Sequence, residues 1–308
     1  MDYGTTFQNI RLSKGLKLTD LADERISASF IGKFEKNQTR MSLDRFDRLL
    51  AKLNVSMSEF FFIGRSYQPD YLETWLKRLG EIDLEDGAQL KSWIRQLQQE
   101  VQSGESVLTA KFLLVLFVTF YELGALNDVP NEIAMPEVDR IFASAVRPVL
   151  RYLERIETWG EFELRLLTLF SFTMDGATLM RLAKLSLTRA GAYEQQIGRK
   201  SIVKNLMLTL FNTAIYVDLA VAQQFLVWYD GQKLDAQEVL EGRLAWARLW
   251  WAKGEQQRAK AAADTTFALA QQLFVTENEW LNEAQKIWQL FMAQYDGNRG
   301  DRLIALKL

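Results

Sequence analysis

Lys33 and Lys36 stand three residues apart in the segment SFIGKFEKN, with Ser29 before them and Asn37 after. On a helix these four share one side. Two ammonium groups flanked by a hydroxyl and an amide can reach the phosphates or base edges of duplex DNA. Ser27 heads the stretch. Phe30 lies within it, and a phenyl ring in a groove can meet only a thymine methyl. Arg11 and Lys14, on the stretch before, carry charge that can neutralise phosphates.

A second set of candidates lies further along. Arg147 and Arg151 are one helical turn apart, placed either to clamp a carboxylate bidentately or to stand as a solvated pair. Asn205 and Asn212 are seven apart and face the same way. An asparagine can hold both the N–H and the C=O of an extended peptide, although exposed helical asparagines are also common. Trp246, Trp250 and Trp251 crowd around Arg248. The register of the segment places Trp246 and Trp250 inside and turns Trp251 and Arg248 towards a groove.

The chain has no histidine and no cysteine. That removes thiolate and imidazole metal sites, disulfides and every Ser-His-Asp or Cys-His nucleophile. With no glycine-rich phosphate loop and no paired-carboxylate signature, neither an enzyme nor a cofactor is expected.

These side chains need elements to position them. The 308 residues suggest two domains, and 48% hydrophobic with 25% charged residues suits a large buried core. Only 4 prolines and 17 glycines interrupt a sequence rich in helix formers, so the expected class is all-α. Residues 1–66 hold 11 Lys and Arg against 8 Asp and Glu, a net +3, and the remainder holds 26 against 31, a net −5. A mildly basic head on an acidic body suits nucleic-acid binding by the head. The opening MDYGTTFQNIRLSKG has no apolar core of a signal peptide. The longest apolar run, Phe112 to Tyr121, is far short of the roughly 20 residues that span a bilayer. A cytoplasmic location with no membrane contact follows as the expectation.

Five short helices fit residues 1–66. The first runs through Phe7 and Leu12 to a stop near Gly15. Thr19 is placed to cap the second, Ser27 or Ser29 the third, Ser42 the fourth and Ser56 the fifth. Leu21 and Ala22 on the second face Ile31 and Phe34 on the third across a tight connection, a helix-turn-helix pattern. Gln68-Pro69-Asp70 marks a linker over 67–72.

Residues 73–308 read as roughly ten helices. The breaks fall at Gly80, Asp86-Gly87, Ser103-Gly104, Gly124 to Pro136, Trp159-Gly160, Asp175-Gly176, Gly191 to Gly198, Asp230-Gly231, Gly254 and Asp296 to Gly300. In LAWARLWWAKGEQQRAKAAADTTFALAQQL, Ala247, Gly254, Ala259 and Ala263 are small residues that let paired helices pack closely, a tetratricopeptide-like pattern. Stacked repeats of this kind form a concave groove that suits an extended peptide.

The segment from Leu12 to Phe61 resembles the helix-turn-helix of the Rgg family of peptide-responsive regulators of Gram-positive bacteria. The resemblance rests on Lys14-Gly15, Leu21 to Glu24, Ile26-Ser27, Ser29, Ile31, Lys33 to Lys36 and Leu49 to Asn54. Trp159, Gly160, Phe162, Glu163 and Leu164 resemble a motif of that family's C-terminal domain. The resemblance implies a five-helix, XRE-like DNA-binding domain with Glu35 as a buried structural acid. It also implies a homodimer and a quorum-sensing type of control by a short hydrophobic peptide. Phe30 stands where the family usually has glutamine, and Asn37 where a glycine ends the recognition helix.

The expectation is therefore a DNA-binding transcription regulator. Its DNA contacts would be Arg11, Lys14, Ser27, Ser29, Phe30, Lys33, Lys36 and Asn37. Its peptide contacts would be Arg147, Arg151, Phe162, Asn205, Asn212, Arg248 and Trp251. The alternatives are a repressor that senses no peptide and a helical-repeat scaffold that binds proteins.

Overall fold

The computed structural model describes residues 1–83, 86–104, 107–126, 129–190, 202–274 and 278–295. Every regular element among them is helical. The chain divides into two compact units, Met1–Asp83 and Leu84–Leu308.

The first unit contains α1 (Tyr3–Ser13), α2 (Leu18–Leu21), α3 (Ala28–Glu35), α4 (Leu43–Lys52), α5 (Met57–Gly64) and α6 (Tyr71–Gly80). Local capping explains where they start. The Ser27 hydroxyl accepts from the Phe30 N–H, and Ser56 does the same for Glu59. Thr19 does not cap α2. The helix starts earlier, with Lys17 at the N-cap and its backbone N–H donating to Asp20 Oδ2 at 2.7 Å. The shared core is aromatic at its centre: Phe46 meets Phe60 edge-on at 4.8 Å and Phe34 at 5.8 Å, with Phe7, Ile31, Leu49 and Leu53 fully buried around them. Ser66 and Tyr67 take left-handed φ values of 56° and 61°, which breaks the chain between α5 and α6. Helix α6, expected at the start of the second domain, groups with the first unit.

Close approach of α1 to the end of α3 depends on Gly4. A Cβ there would lie 2.2 Å from the Phe34 carbonyl oxygen, a backbone atom that cannot swing aside. Gly4→Ala is expected to lower stability by about 1–3 kcal/mol in urea unfolding. An unchanged midpoint would mean that α1 can shift without cost.

The second unit contains α7 (Gly87–Ser103), α8 (Val107–Gly124), α9 (Asn131–Arg155), α10 (Glu161–Phe170), α11 (Gly176–Arg189), α12 (Ile202–Val217), α13 (Leu219–Asp230), α14 (Ala236–Ala252), α15 (Gln256–Leu273) and α16 (Glu279–Gln294). The most extensive packing is between consecutive helices, α7 with α8, α12 with α13 and α14 with α15, so the unit is built of helical hairpins. In the α14–α15 hairpin, Gly254 turns the chain at φ 88°, and Ala247, Ala259 and Ala263 are fully buried between the helices. Pro136 departs from the expected break, because α9 starts at Asn131 and carries Pro136 and Pro148 inside it. The expected breaks at Gly191 to Gly198 and Asp296 to Gly300 lie outside the described residues.

The apolar run of α8 is core: Leu113, Leu116, Phe117 and Phe120 are buried. No described helix is long and apolar enough to cross a membrane.

Candidate nucleic-acid interface and ligand cavity

Helix α3 is two-faced. Ile31, Phe34 and Glu35 are buried, while Ser29, Lys33 and Lys36 are exposed at i, i+4 and i+7. The pair α2–α3 is held by Asp23. Its backbone exchanges hydrogen bonds with Ile26, and its Oδ1 accepts from the N–H groups of Arg25 and Ile26. Its Oδ2 accepts from Lys52 Nζ and Arg48 Nε on α4, both at 2.7 Å. Lys52 also donates to the Leu21 carbonyl, so α4 grips both sides of the turn.

The Lys52 ammonium, then the Arg48 guanidinium, hold the Asp23 carboxyl far below the usual carboxylate range. The unfolded value is about 3.9, so the stabilisation is complete above that pH and is lost as pH falls towards the folded value. The stability gap between the wild type and Asp23→Asn is therefore expected to be widest near neutral pH and to narrow below about pH 4. Urea unfolding at a series of pH values checks this, and a gap that ignores pH would count against it.

One expected DNA contact, Arg11, is corrected, and two others, Asn37 and Phe30, make contacts within the unit itself. Arg11 is buried. Its Nε and Nη2 donate to the two oxygens of Glu35 at 2.6 and 2.8 Å, and its Nη1 to the Leu16 carbonyl at 2.6 Å. The bond to Glu35 raises the Arg11 pKa above its ordinary value. Three of its five N–H donors are engaged inside the unit and the side chain is buried, so the guanidinium is not presented to a phosphate. Asn37 takes the left-handed φ of 57°, but its amide is committed: Oδ1 accepts from the Gly4 N–H at 3.2 Å and Nδ2 donates to Asp2 Oδ1 at 2.7 Å. It ties the end of α3 to the start of α1. Phe30 is half-buried against the unit's core, with the Arg45 guanidinium 5.5 Å from its ring centre. A phenyl group recovers more by leaning on apolar surface than by standing in water. Lys14 is exposed at the end of α1, and Ser27 is exposed with its hydroxyl used as the cap. Arg45, which the sequence reading passed over, stands exposed beside α3.

In the second unit, three helix faces enclose a cavity of about 230 Å³. Leu208 and Asn212 line it from α12, Glu241, Leu244 and Arg248 from α14, and Trp280, Glu283, Ala284, Ile287 and Trp288 from α16. The periodicity is helical on each wall: i, i+4 on α12, i, i+3, i+7 on α14, and i, i+4, i+7, i+8 on the apolar stripe of α16. Arg248 forms no ion pair among the described residues; its guanidinium lies 5.2 Å from the centre of the buried Phe211 ring. Burial lowers its pKa to about 10, which still leaves it charged at neutral pH. Asn212 Oδ1 is buried and accepts no hydrogen bond from the described residues. An orphaned acceptor of this kind costs about 1–3 kcal/mol.

The structure thus brings Asn212 and Arg248 together and leaves the other expected peptide contacts elsewhere. Trp251 packs edge-on against Trp288 at 5.9 Å and does not line the cavity. Trp246 and Trp250 are half-buried, the first donating to Asp230 Oδ2 at 2.7 Å and the second lying 3.9 Å under the Arg258 guanidinium. Asn205, Arg147 and Arg151 are exposed and line no part of the cavity. Phe162 packs on Phe112 and Tyr152. A larger cavity, about 670 Å³, lies in the first unit between Tyr3, Phe34, Leu43 and Phe61. Its amide, Asn37, is already satisfied, so the smaller cavity has the stronger claim as a polar recognition site.

Residues 137–243 match the family model described as HTH-type transcriptional regulator Rgg, C-terminal domain. The fold is similar to that of a protein from Listeria monocytogenes EGD-e assigned as a transcriptional regulator, with a TM-score of 0.71 and 17% identity over 96% of this chain and 98% of that one. It is also similar to the SHP pheromone receptor Rgg2 of Streptococcus dysgalactiae, with a TM-score of 0.67 and 20% identity over 96% of this chain and 98% of that one. The PrgX/cCF10 complex matches with a TM-score of 0.64 and 9% identity over 96% of this chain and 100% of the other.

Proposed function

We infer that this chain, which carries an Rgg-type C-terminal domain over residues 137–243, is a DNA-binding transcription regulator controlled by a short hydrophobic peptide. The observation that carries the reading is the exposed face of α3, where Ser29, Lys33 and Lys36 project from a helix whose other side is locked into the core. That is the arrangement of a recognition helix in a major groove, with hydroxyl and ammonium donors for base edges and phosphates. Lys14 adds a phosphate contact from α1. The working form is a homodimer, in which two such helices read paired half-sites.

The peptide reading is supported by the cavity of the second unit and by the fold shared with Rgg2, named as a pheromone receptor, and with PrgX in complex with cCF10. At about 230 Å³ the cavity is below the ~300–1,000 Å³ of sites that swallow a whole small ligand. It takes one end or a side chain of a peptide, the rest lying along neighbouring helix faces. The peptide shifts an existing equilibrium between dimer conformations, as far as its differential affinity for them allows.

The test is selection by the full chain from a pool of random-sequence duplexes. Enrichment of one sequence with paired half-sites is the expected result. A retained pool no different from the input would remove the DNA reading and leave the helical-repeat scaffold. Retention of the same sequence at the same strength whatever peptides are supplied would leave a repressor that senses none.

A further inference from the structure

We propose that the cavity between α12, α14 and α16 is a carboxylate subsite: Arg248 takes one carboxylate of the peptide ligand, and Asn212 Oδ1 accepts an N–H next to it. The inference rests on the peptide reading above and adds which chemical group of the peptide the chain recognises.

Two independent observations converge on it. Arg248 is half-buried on the cavity wall beside the Phe211 ring and forms no ion pair among the described residues. Arginine forks match carboxylates in two parallel hydrogen bonds, and a partly desolvated guanidinium without an anion gains from one that arrives. Asn212 Oδ1, on the facing wall, is a buried acceptor with no donor among the described residues. Folding leaves buried polar groups unsatisfied rarely, and a ligand's polar group is one explanation when it does. A peptide supplies both complements at once, a carboxylate and an adjacent amide N–H.

The remaining lining selects among anions. Leu208, Leu244, Ile287 and the two tryptophans Trp280 and Trp288 are apolar and suit a hydrophobic neighbour of the carboxylate. Glu241 and Glu283 border the same space. They oppose any incoming anion, a dianion such as a phosphate more strongly than a single carboxylate, so a carboxylate gains only through direct contact with Arg248. Glu241 also accepts from Gln237 Nε2 at 2.8 Å, which holds it on its own helix. The carboxylate can be the peptide's C-terminus or an Asp or Glu side chain; the chemistry at Arg248 is the same.

The experiment uses the full chain, immobilised, and three pools of short N-acetylated apolar peptides matched in length and composition. One pool ends in a free carboxylate, one in an amide, and one in an amide with a single aspartate within the sequence. Retained peptides are quantified by mass spectrometry. The wild type is expected to hold one of the two anionic pools at least about tenfold better than the neutral amide pool. Whichever pool it is identifies the source of the carboxylate. Arg248→Met should fold and lose the preference, and Arg248→Lys, which keeps the charge without the fork, should keep it in weaker form. Asn212→Leu should raise the melting temperature of the free chain while lowering peptide retention, a pairing that a purely structural asparagine would not give. Equal retention of the three pools by the wild type, or an unchanged preference in a folded Arg248→Met, would overturn the subsite and leave peptide sensing intact. Retention of none of them would remove peptide sensing itself.

Discussion

Glu35→Ala is expected to destabilise the chain by about 3–5 kcal/mol, because it leaves the Arg11 guanidinium buried without its anion. Arg11 is 6% exposed and Glu35 3%, and the two are joined bidentately at 2.6 and 2.8 Å, so neither charge can turn to water without opening the interface between α1 and α3. The loss should appear in urea unfolding and as faster hydrogen exchange of the α1 and α3 amides. Arg11→Ala removes the other partner and should cost a similar amount. The double replacement Arg11→Met with Glu35→Leu removes both charges together and should recover much of the loss. Recovery stays incomplete, because the Leu16 carbonyl also loses the Arg11 Nη1 donor, worth about 1–3 kcal/mol if it stays buried. If Glu35→Ala unfolded at the wild-type urea concentration, the pair would be ornamental and α3 would be held by apolar packing alone.

Changing Lys33 and Lys36 together to alanine should have the largest effect on DNA affinity and little on stability. Both side chains are exposed, and the core face of α3 is untouched. Each lysine that neutralises a phosphate contributes about 0.9 to the slope of log affinity against log salt, so the double variant should lose up to about 2 from that slope. Its affinity should fall most at low salt, since that is where counterion release drives binding hardest. Fluorescence polarisation at several salt concentrations reads both quantities. A variant as tight and as salt-sensitive as the wild type would place the DNA contacts on another element.

Much of the first unit can be read from the sequence because its signals are local. Ser27 and Ser56 cap the helices that follow them, and Ile31 with Phe34 marks the inner side of α3. Arg11 was illegible for the opposite reason. Its partner Glu35 is 24 residues away, and a lone arginine on an amphipathic stretch reads as surface charge until the pairing is known. Asn37 shows both cases. Its left-handed backbone follows from its place at the end of α3, whereas its bonds to Gly4 and Asp2 depend on how α1 folds back. Thr19 misled because the start of α2 is set from inside the helix by Asp20 rather than by a cap before it.

In the second unit the class of fold was legible and the site only in pieces. Asn212 and Arg248 stood out as polar residues on apolar helices, but pairing them needed the packing of α12 against α14. The third wall was overlooked although its signal was present: Trp280, Ala284, Ile287 and Trp288 form a stripe on α16 that no neighbouring sequence segment explains. Arg147 with Arg151, and Asn205, satisfied the same local criteria as the residues in the cavity and lie outside it. Spacing along one helix says which side chains share a face, and the partner helix decides which faces close over a ligand.

The most direct test of the account of α3 is a photo-crosslinking side chain placed at Ser29 in the otherwise unchanged protein, irradiated on the duplex it selects. Crosslinks confined to bases at a fixed position in each half-site, and absent from a scrambled duplex, are the predicted result. Crosslinks equally spread over both duplexes, or none on either, would contradict the assignment of α3 as the helix that reads DNA.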